Sequence, residues 1–397
     1  MEAYIVDWLG LLVRWLHFVA GVAWVGASFY FVWLDNHLEP PQSGRDRDEG
    51  VAGEVWSVHG GGFYHARKFA LTPPQMPATL HWFKWEAYTT WLSGMALLAL
   101  VYWYGAEVYL IDPGVAELGH ATAVAIGIAT LVAGWVVYDL LCKSPLGRSD
   151  TLLGIVVFLF VSAAAWGLCQ VFSGRGAFIH YGAMLGTIMV ANVAHVIIPG
   201  QRELVAAASE GRRPDPVWGL RGKQRSVHNT YFTLPVLFVM ISNHYAMTYS
   251  HPYNWLILIA LSLAGALVRV YFVARHRGRA SPVPLVIAAL IVAALAWALA
   301  PSSPTVGEDV EADISQVETI IGQRCASCHA RNPTQPGFAA PPNGFVLENR
   351  DQILANADSI YQQAVASRAM PIGNLTGMTD KERRILAKWY ESQAQSE

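Results

Sequence analysis

Cys325-Ala326-Ser327-Cys328-His329 carries the most specific chemistry in this chain. Two thiols three positions apart on one helical turn can form thioethers to the two vinyl groups of a haem, and the residue that follows offers an imidazole to the iron. A zinc site and a redox dithiol compete with this reading. Zinc needs two further ligands at similar spacing, but Cys142 and Cys169 lie far away in strongly apolar surroundings. A thioredoxin-like dithiol needs a βαβ pattern, and none is visible. The motif therefore predicts a covalent haem c with His329 on the iron, and so a role in handling single electrons.

Three other clusters could do chemistry. In His59-Gly60-Gly61-Gly62-Phe63-Tyr64-His65-Ala66-Arg67-Lys68, glycines let backbone donors approach a ligand. Two imidazoles with two cations suit a planar, anionic, proton-releasing substrate. The plainer reading is a flexible turn ending in a basic patch. Ser226-Val227-His228-Asn229-Thr230-Tyr231 is a second polar cluster and Asn243-His244-Tyr245 a third. Histidines also stand inside or at the ends of apolar runs, where they are costly and usually functional. His17, His120, His180 and His244 are of this kind, and bis-imidazole ligation of one or two b-type haems is their functional reading. In the first run Arg14, His17, Gly21, Trp24 and Ser28 share one helical stripe, which serves equally as a packing seam.

The elements that must position these groups are written in the composition. The 397 residues are 53% hydrophobic and 14% charged, against about 25% charged in a soluble domain. A net charge of -2 gives no basic footprint for nucleic acid. Trp8 to Leu34 is apolar and long enough to cross ~30 Å of hydrocarbon, and it is too long for a signal peptide. Further runs at about 85–105, 119–141, 151–173, 178–198, 254–274 and 283–300, with a more polar one at 230–248, bring the expected count to eight spans. Sixteen Lys and Arg fall in the connections after spans 1, 3, 5 and 7, against Arg175 alone in those after spans 2, 4 and 6. The positive-inside bias then puts the first set in the cytoplasm and both termini outside. His17, His120, His180 and His244 fall in the outer half, and His195 and His228 toward the inside.

Pro301-Ser302-Ser303-Pro304 opens a linker over 301–312. Beyond it, 313–397 reads as a small helical domain on the external side. Ile314, Val317, Ile320 and Ile321 recur at helical spacing before the haem motif, and 351–368 forms a second helix. Thr379 with Glu382 is a capping box that opens a last helix carrying Ile385, Leu386, Trp389 and Tyr390. This order resembles a class I cytochrome c, whose second axial ligand is a methionine between the last two helices. Met370 stands where that ligand belongs. Met378 competes, but directly before a helix cap its plainer role is a hydrophobic staple. The expected fold class is thus all-α: a polytopic membrane bundle over 1–300, then a class I cytochrome c-like domain.

Almost the whole chain resembles the bacterial membrane-bound urate hydroxylases, uricases that carry a C-terminal cytochrome c domain. The resemblance rests on Arg14-Trp15-Leu16-His17-Phe18, on His59 through Tyr64, on Asn192-Val193 with Ile197-Ile198-Pro199-Gly200-Gln201, on His228-Asn229 through Ile241-Ser242-Asn243-His244-Tyr245, and on the haem domain. It implies oxidation of urate to 5-hydroxyisourate at the bacterial inner membrane. Electrons would pass to the attached cytochrome and on to a terminal oxidase or soluble cytochrome, without hydrogen peroxide. From chemistry, His65, His59 and His228 are the expected bases and Arg67 the anion clamp. These residues face the cytoplasm and the haem faces outward, across ~30 Å of hydrocarbon. Either b haems on His17, His120, His180 or His244 bridge that gap, or the substrate site lies on the outer side, near Asn243 and His244. A membrane-anchored cytochrome c subunit without its own substrate is the rival reading, though eight spans exceed what an anchor needs. A transporter with a haem sensor would show internal repeats, and none is convincing.

Overall fold

The computed structural model describes residues 2–70, 72–276, 281–300, 312–336, 338 and 340–394. The linker expected over 301–312 lies outside them except for Ala312, as do Arg277 and Arg279. Each of the apolar runs folds as a helix. They are α1 (Glu2–His37), α2 (Trp85–Leu97, prolonged by a wider turn over Leu98–Trp103), α3 (His120–Lys143), α4 (Asp150–Cys169) and α5 (Gly174–Asn192, running through a wide turn at Val193–Ile197 into α6, Ile198–Ser209). They continue with α7 (Pro216–Ser242), α8 (Asn254–His276) and α9 (Val283–Ala298). Among the described residues, five helical stretches are long and apolar enough to cross a membrane: Trp8–His37, His120–Lys143, Asp150–Cys169, Gly174–Ser209 and Asn254–Arg275.

Local signals set several helix starts. Ser149 caps α4 by accepting from Leu152 N, and Ser173 caps α5 by accepting from Gly176 N at 3.0 Å. Asp215 followed by Pro216 opens α7. Helix α5 runs through the middle of the bundle, with Phe178, Tyr181, Met184, Leu185 and Ile188 fully enclosed. Its neighbours contribute Tyr138, Leu153 and Leu258 to the same core. On α1, by contrast, Leu11, Trp15, Phe18 and Val22 are exposed, as expected of a face turned to hydrocarbon.

Two expectations change. The connection after α1 is not a flexible turn but an antiparallel hairpin, β1 (Val51–His59) paired with β2 (Gly62–Phe69). Gly60 and Gly61, at φ +57° and +80°, make its two-residue turn, a conformation that favours glycine at both positions. The polar span expected at 230–248 starts much earlier and ends at Ser242. Arg225, counted among the loop cations, therefore sits on α7 and is 4% exposed, ion-paired to Asp139 at 2.7 Å.

The C-terminal residues have their own core. Val317, Ile320 and Ile321 of α10 (Ile314–Arg324) meet Leu386 and Trp389 of α11 (Asp380–Ala394). The capping box forms as expected, with Thr379 N donating to Glu382 Oε2 at 2.6 Å and Glu382 N to Thr379 Oγ1 at 3.2 Å. This domain rests on one end of the bundle, where the turn Ile372–Asn374 meets the turn Ala106–Tyr109. The hairpin stands at the other end, because α1 and α8 both run from the first end to the second.

Candidate functional site at the junction of the two domains

His329 donates from Nδ1 to the carbonyl of Phe345 at 3.0 Å. A carbonyl only accepts, so Nε2 keeps its lone pair, the tautomer a metal-ligating histidine needs. Cys325 and Cys328 are both free, joined through one helical turn by Cys328 N to Cys325 O at 3.1 Å. Burial pushes the Cys325 thiol up to about 12. Met370 is held by Arg383, which is 7% exposed and donates to the carbonyls of Met370, at 2.9 Å, and Ala364. Met378 is 3% exposed and packs into the domain core with Ile321 and Trp389. Met370 is only partly buried. The donor types fit a haem c: two thiols on one turn, an imidazole whose Nδ1 is committed to a carbonyl, and a methionine whose main chain Arg383 holds.

Met370 opens onto a polar cavity of about 840 Å³ between the domains. The bundle contributes Asp112, Arg175, Asn243 and His244 to its wall, and the C-terminal domain Arg368, Asn374 and Arg383. Arg175, at the start of α5, donates from Nε to Asn243 Oδ1 at 3.0 Å and to Tyr102 Oη at 3.2 Å, while Tyr102 donates to the same Oδ1 at 3.2 Å. The guanidinium lies 5.0 Å above the Tyr109 ring. Its two terminal nitrogens have no protein partner among the described residues, so they present a fork to a ligand. Burial pushes the Asp112 carboxyl above its ordinary value.

A second, more apolar cavity of about 740 Å³ runs from the same place into the bundle, lined by Arg14, His17, Gly21, Trp24, Gly186 and Met240 among others. Arg175, Asn243 and His244 line both cavities. His17 and His244 therefore share a cavity, and His180 does not. Both of its ring nitrogens are used, Nδ1 donating to Gly176 O at 2.9 Å and Nε2 accepting from Trp103 Nε1 at 3.2 Å. His120 sits at the start of α3 against Glu107 at 2.6 Å.

The residues expected to act as bases and clamp do not converge. His59 is exposed at the hairpin turn. The His65 ring stacks on Trp56 at 4.2 Å, with Nε2 2.8 Å from Glu54. Arg67 is bound to Asp46 at 2.7 Å. His228 is buried elsewhere, in a network where Tyr138 Oη lies 2.7 Å from its Nδ1 and Asn192 joins Tyr138 to Asn229. Sequence reasoning missed Arg175 and Tyr102 as site residues. The signal for Arg175 was present, since it is the single cation in the connections after spans 2, 4 and 6.

No curated protein and no solved structure matches the chain. The urate oxidase N-terminal family model matches residues 3–300, three quarters of the chain, and takes in the whole bundle with Arg175, Asn243 and His244. The chain belongs to the urate oxidase N-terminal family.

Proposed function

We propose that this protein oxidises urate to 5-hydroxyisourate in the polar cavity between its domains and passes the electrons to a haem c held by Cys325, Cys328, His329 and Met370. The observation that carries the reading is that Arg175, Asn243 and His244, which lie in the span of the family match, form one wall of the cavity that Met370 borders. The reaction consumes urate and water and releases 5-hydroxyisourate, two protons and two electrons. Arg175 offers its two free nitrogens to the anionic edge of the purine. Asn243 accepts from Arg175 and Tyr102 through Oδ1, so its amide NH2 is turned to donate to a urate carbonyl. His244 is the proton acceptor, an imidazole being the side chain that titrates nearest neutrality. A haem held by these residues would supply a one-electron acceptor, from which a terminal oxidase or a soluble cytochrome would take the electrons. This location removes the need to carry electrons across the bilayer from the hairpin, and it accords with an orientation in which the C-terminal domain lies outside a bacterial inner membrane.

The test is an anaerobic mix of urate with purified, oxidised protein while the haem c α-band is followed. Appearance of the band in wild type, its loss in Arg175→Ala and its persistence in His65→Ala support the reading. Loss in His65→Ala with full reduction in Arg175→Ala moves the substrate to the hairpin. A haem that dithionite reduces and urate does not makes the chain an electron-transfer subunit.

A further inference from the structure

We infer that the apolar cavity inside the bundle is the seat of a second, non-covalent haem, with His17 as an axial ligand. The inference does not depend on which substrate the junction cavity takes.

His17 is held as His329 is. Its Nδ1 lies 2.9 Å from the carbonyl of Thr90 and 3.1 Å from Ser93 Oγ. Because the carbonyl only accepts, Nδ1 carries the proton and Nε2 the lone pair. No described residue bonds Nε2. An imidazole fixed by a main-chain carbonyl, with its free nitrogen at a cavity, is what ligation of iron requires. His180, fully enclosed nearby, shows the contrasting case of a structural histidine with both nitrogens used.

The seat of the ring is also built. A Cβ on Gly94 would stand 2.9 Å from His17 Cε1, so only glycine at 94 lets the imidazole lie against α2. The cavity is about 740 Å³, inside the range of about 300–1,000 Å³ for cofactor pockets. Its walls hold the flat, apolar surface a porphyrin needs: Trp24, Trp91, Leu98 and Met240, with open floors at two glycines. A Cβ at Gly186 would meet nothing within 4 Å, and at Gly21 nothing nearer than 3.9 Å. Arg14, one turn before His17 and on the same cavity, provides a cation for the propionate edge at the end nearest the C-terminal domain. Urate suits this cavity poorly, since its several polar edges would meet mostly hydrocarbon.

The experiment is haem accounting on the full-length protein in detergent, without urate. Acid–acetone extraction removes non-covalent haem and leaves the covalent group on the chain, so the two are counted separately. Wild type is expected to yield one extractable haem per chain beside one covalent haem. His17→Ala should reduce the extractable haem about tenfold or more while leaving covalent haem unchanged, which also reports that the chain is inserted and its C-terminal domain folded. Gly186→Leu, which extends a side chain where a Cβ meets nothing within 4 Å and leaves the His17 side chain in place, should have the same effect, and imidazole added to His17→Gly should restore binding. Wild type without extractable haem, or full retention by both His17→Ala and Gly186→Leu, overturns the inference. Extractable haem lost in His17→Ala alongside a wild type that urate fails to reduce leaves the second haem standing and removes the substrate reading.

Discussion

Arg175 is held in place at the junction cavity by bonds within the bundle. Its Nε is spent on Asn243 and Tyr102, so its position is fixed before any ligand arrives and only its terminal nitrogens are offered. Arg175→Lys keeps the charge and loses the fork, and it is expected to raise KM for urate by about tenfold or more, a loss of about 1.4 kcal/mol or more in binding, measured by steady-state turnover with an artificial one-electron acceptor. The two methionines separate in the same way. Met370→Ala should abolish the methionine–iron charge-transfer band of the oxidised haem. Met378→Leu, a volume-conserving change in the domain core, should keep the band and cost less than about 1.5 kcal/mol, as read from denaturant unfolding of the haem signal.

Among the elements, the hairpin and α7 illustrate different uses of charge. Glu54 on β1 accepts from the Gln42 main chain at 2.9 Å and from His65 at 2.8 Å, and these bonds hold its carboxyl below its usual range. A depressed carboxyl stabilises the fold above its unfolded value of about 4.5, and that stability is lost as the pH falls through the lower, folded value. Amide protection factors over 51–69, referred to the intrinsic exchange rate at each pH, should therefore fall on acidification below about 4.5, and Glu54→Gln should show the lowered protection already at neutral pH. On α7 the pair Arg225–Asp139 is enclosed, with Arg225 4% exposed and Asp139 14%. Removing one partner strands the other, so Asp139→Asn is expected to cost about 3–5 kcal/mol, seen as a lowered thermal midpoint in detergent. The wide turn of α5 at Val193–Ile197 follows directly on Asn192 of this network, and such turns gather where a helix must present side chains out of phase.

At the scale of the molecule, the turn Ile372–Asn374 meets the bundle and lines the cavity that the two domains share. Gly373 holds φ +56°, and a Cβ there would lie 3.6 Å from the carbonyls of Val108 and Ile111. Gly373→Val combines backbone strain with a wedge at this contact. The covalent haem should be unaffected, while reduction of the haem by substrate slows by an order of magnitude or more. Stopped-flow traces that match wild type would show that the docked arrangement is not the one through which electrons move.

What the sequence determined by itself was whatever depends on near neighbours. Hydrocarbon-length apolar runs, Ser and Asp caps, the Thr379–Glu382 box and the thiol spacing of Cys325 and Cys328 all act within a few residues, so they are legible in one dimension. The hairpin was misread because Gly60 and Gly61 signal a tight turn as readily as a flexible one, and only the pairing of Val51–His59 with Gly62–Phe69 decides between them. The site was decided by packing across long separations. His17 meets Thr90 and Arg175 meets Asn243, contacts between residues 73 and 68 positions apart, and Met370 lines the same cavity as Arg175, none of which a local pattern encodes. His17 and His180 are alike as letters in apolar runs. The hydrogen bonds of the folded bundle, which close both nitrogens of one and leave one nitrogen of the other open to a cavity, make them chemically different.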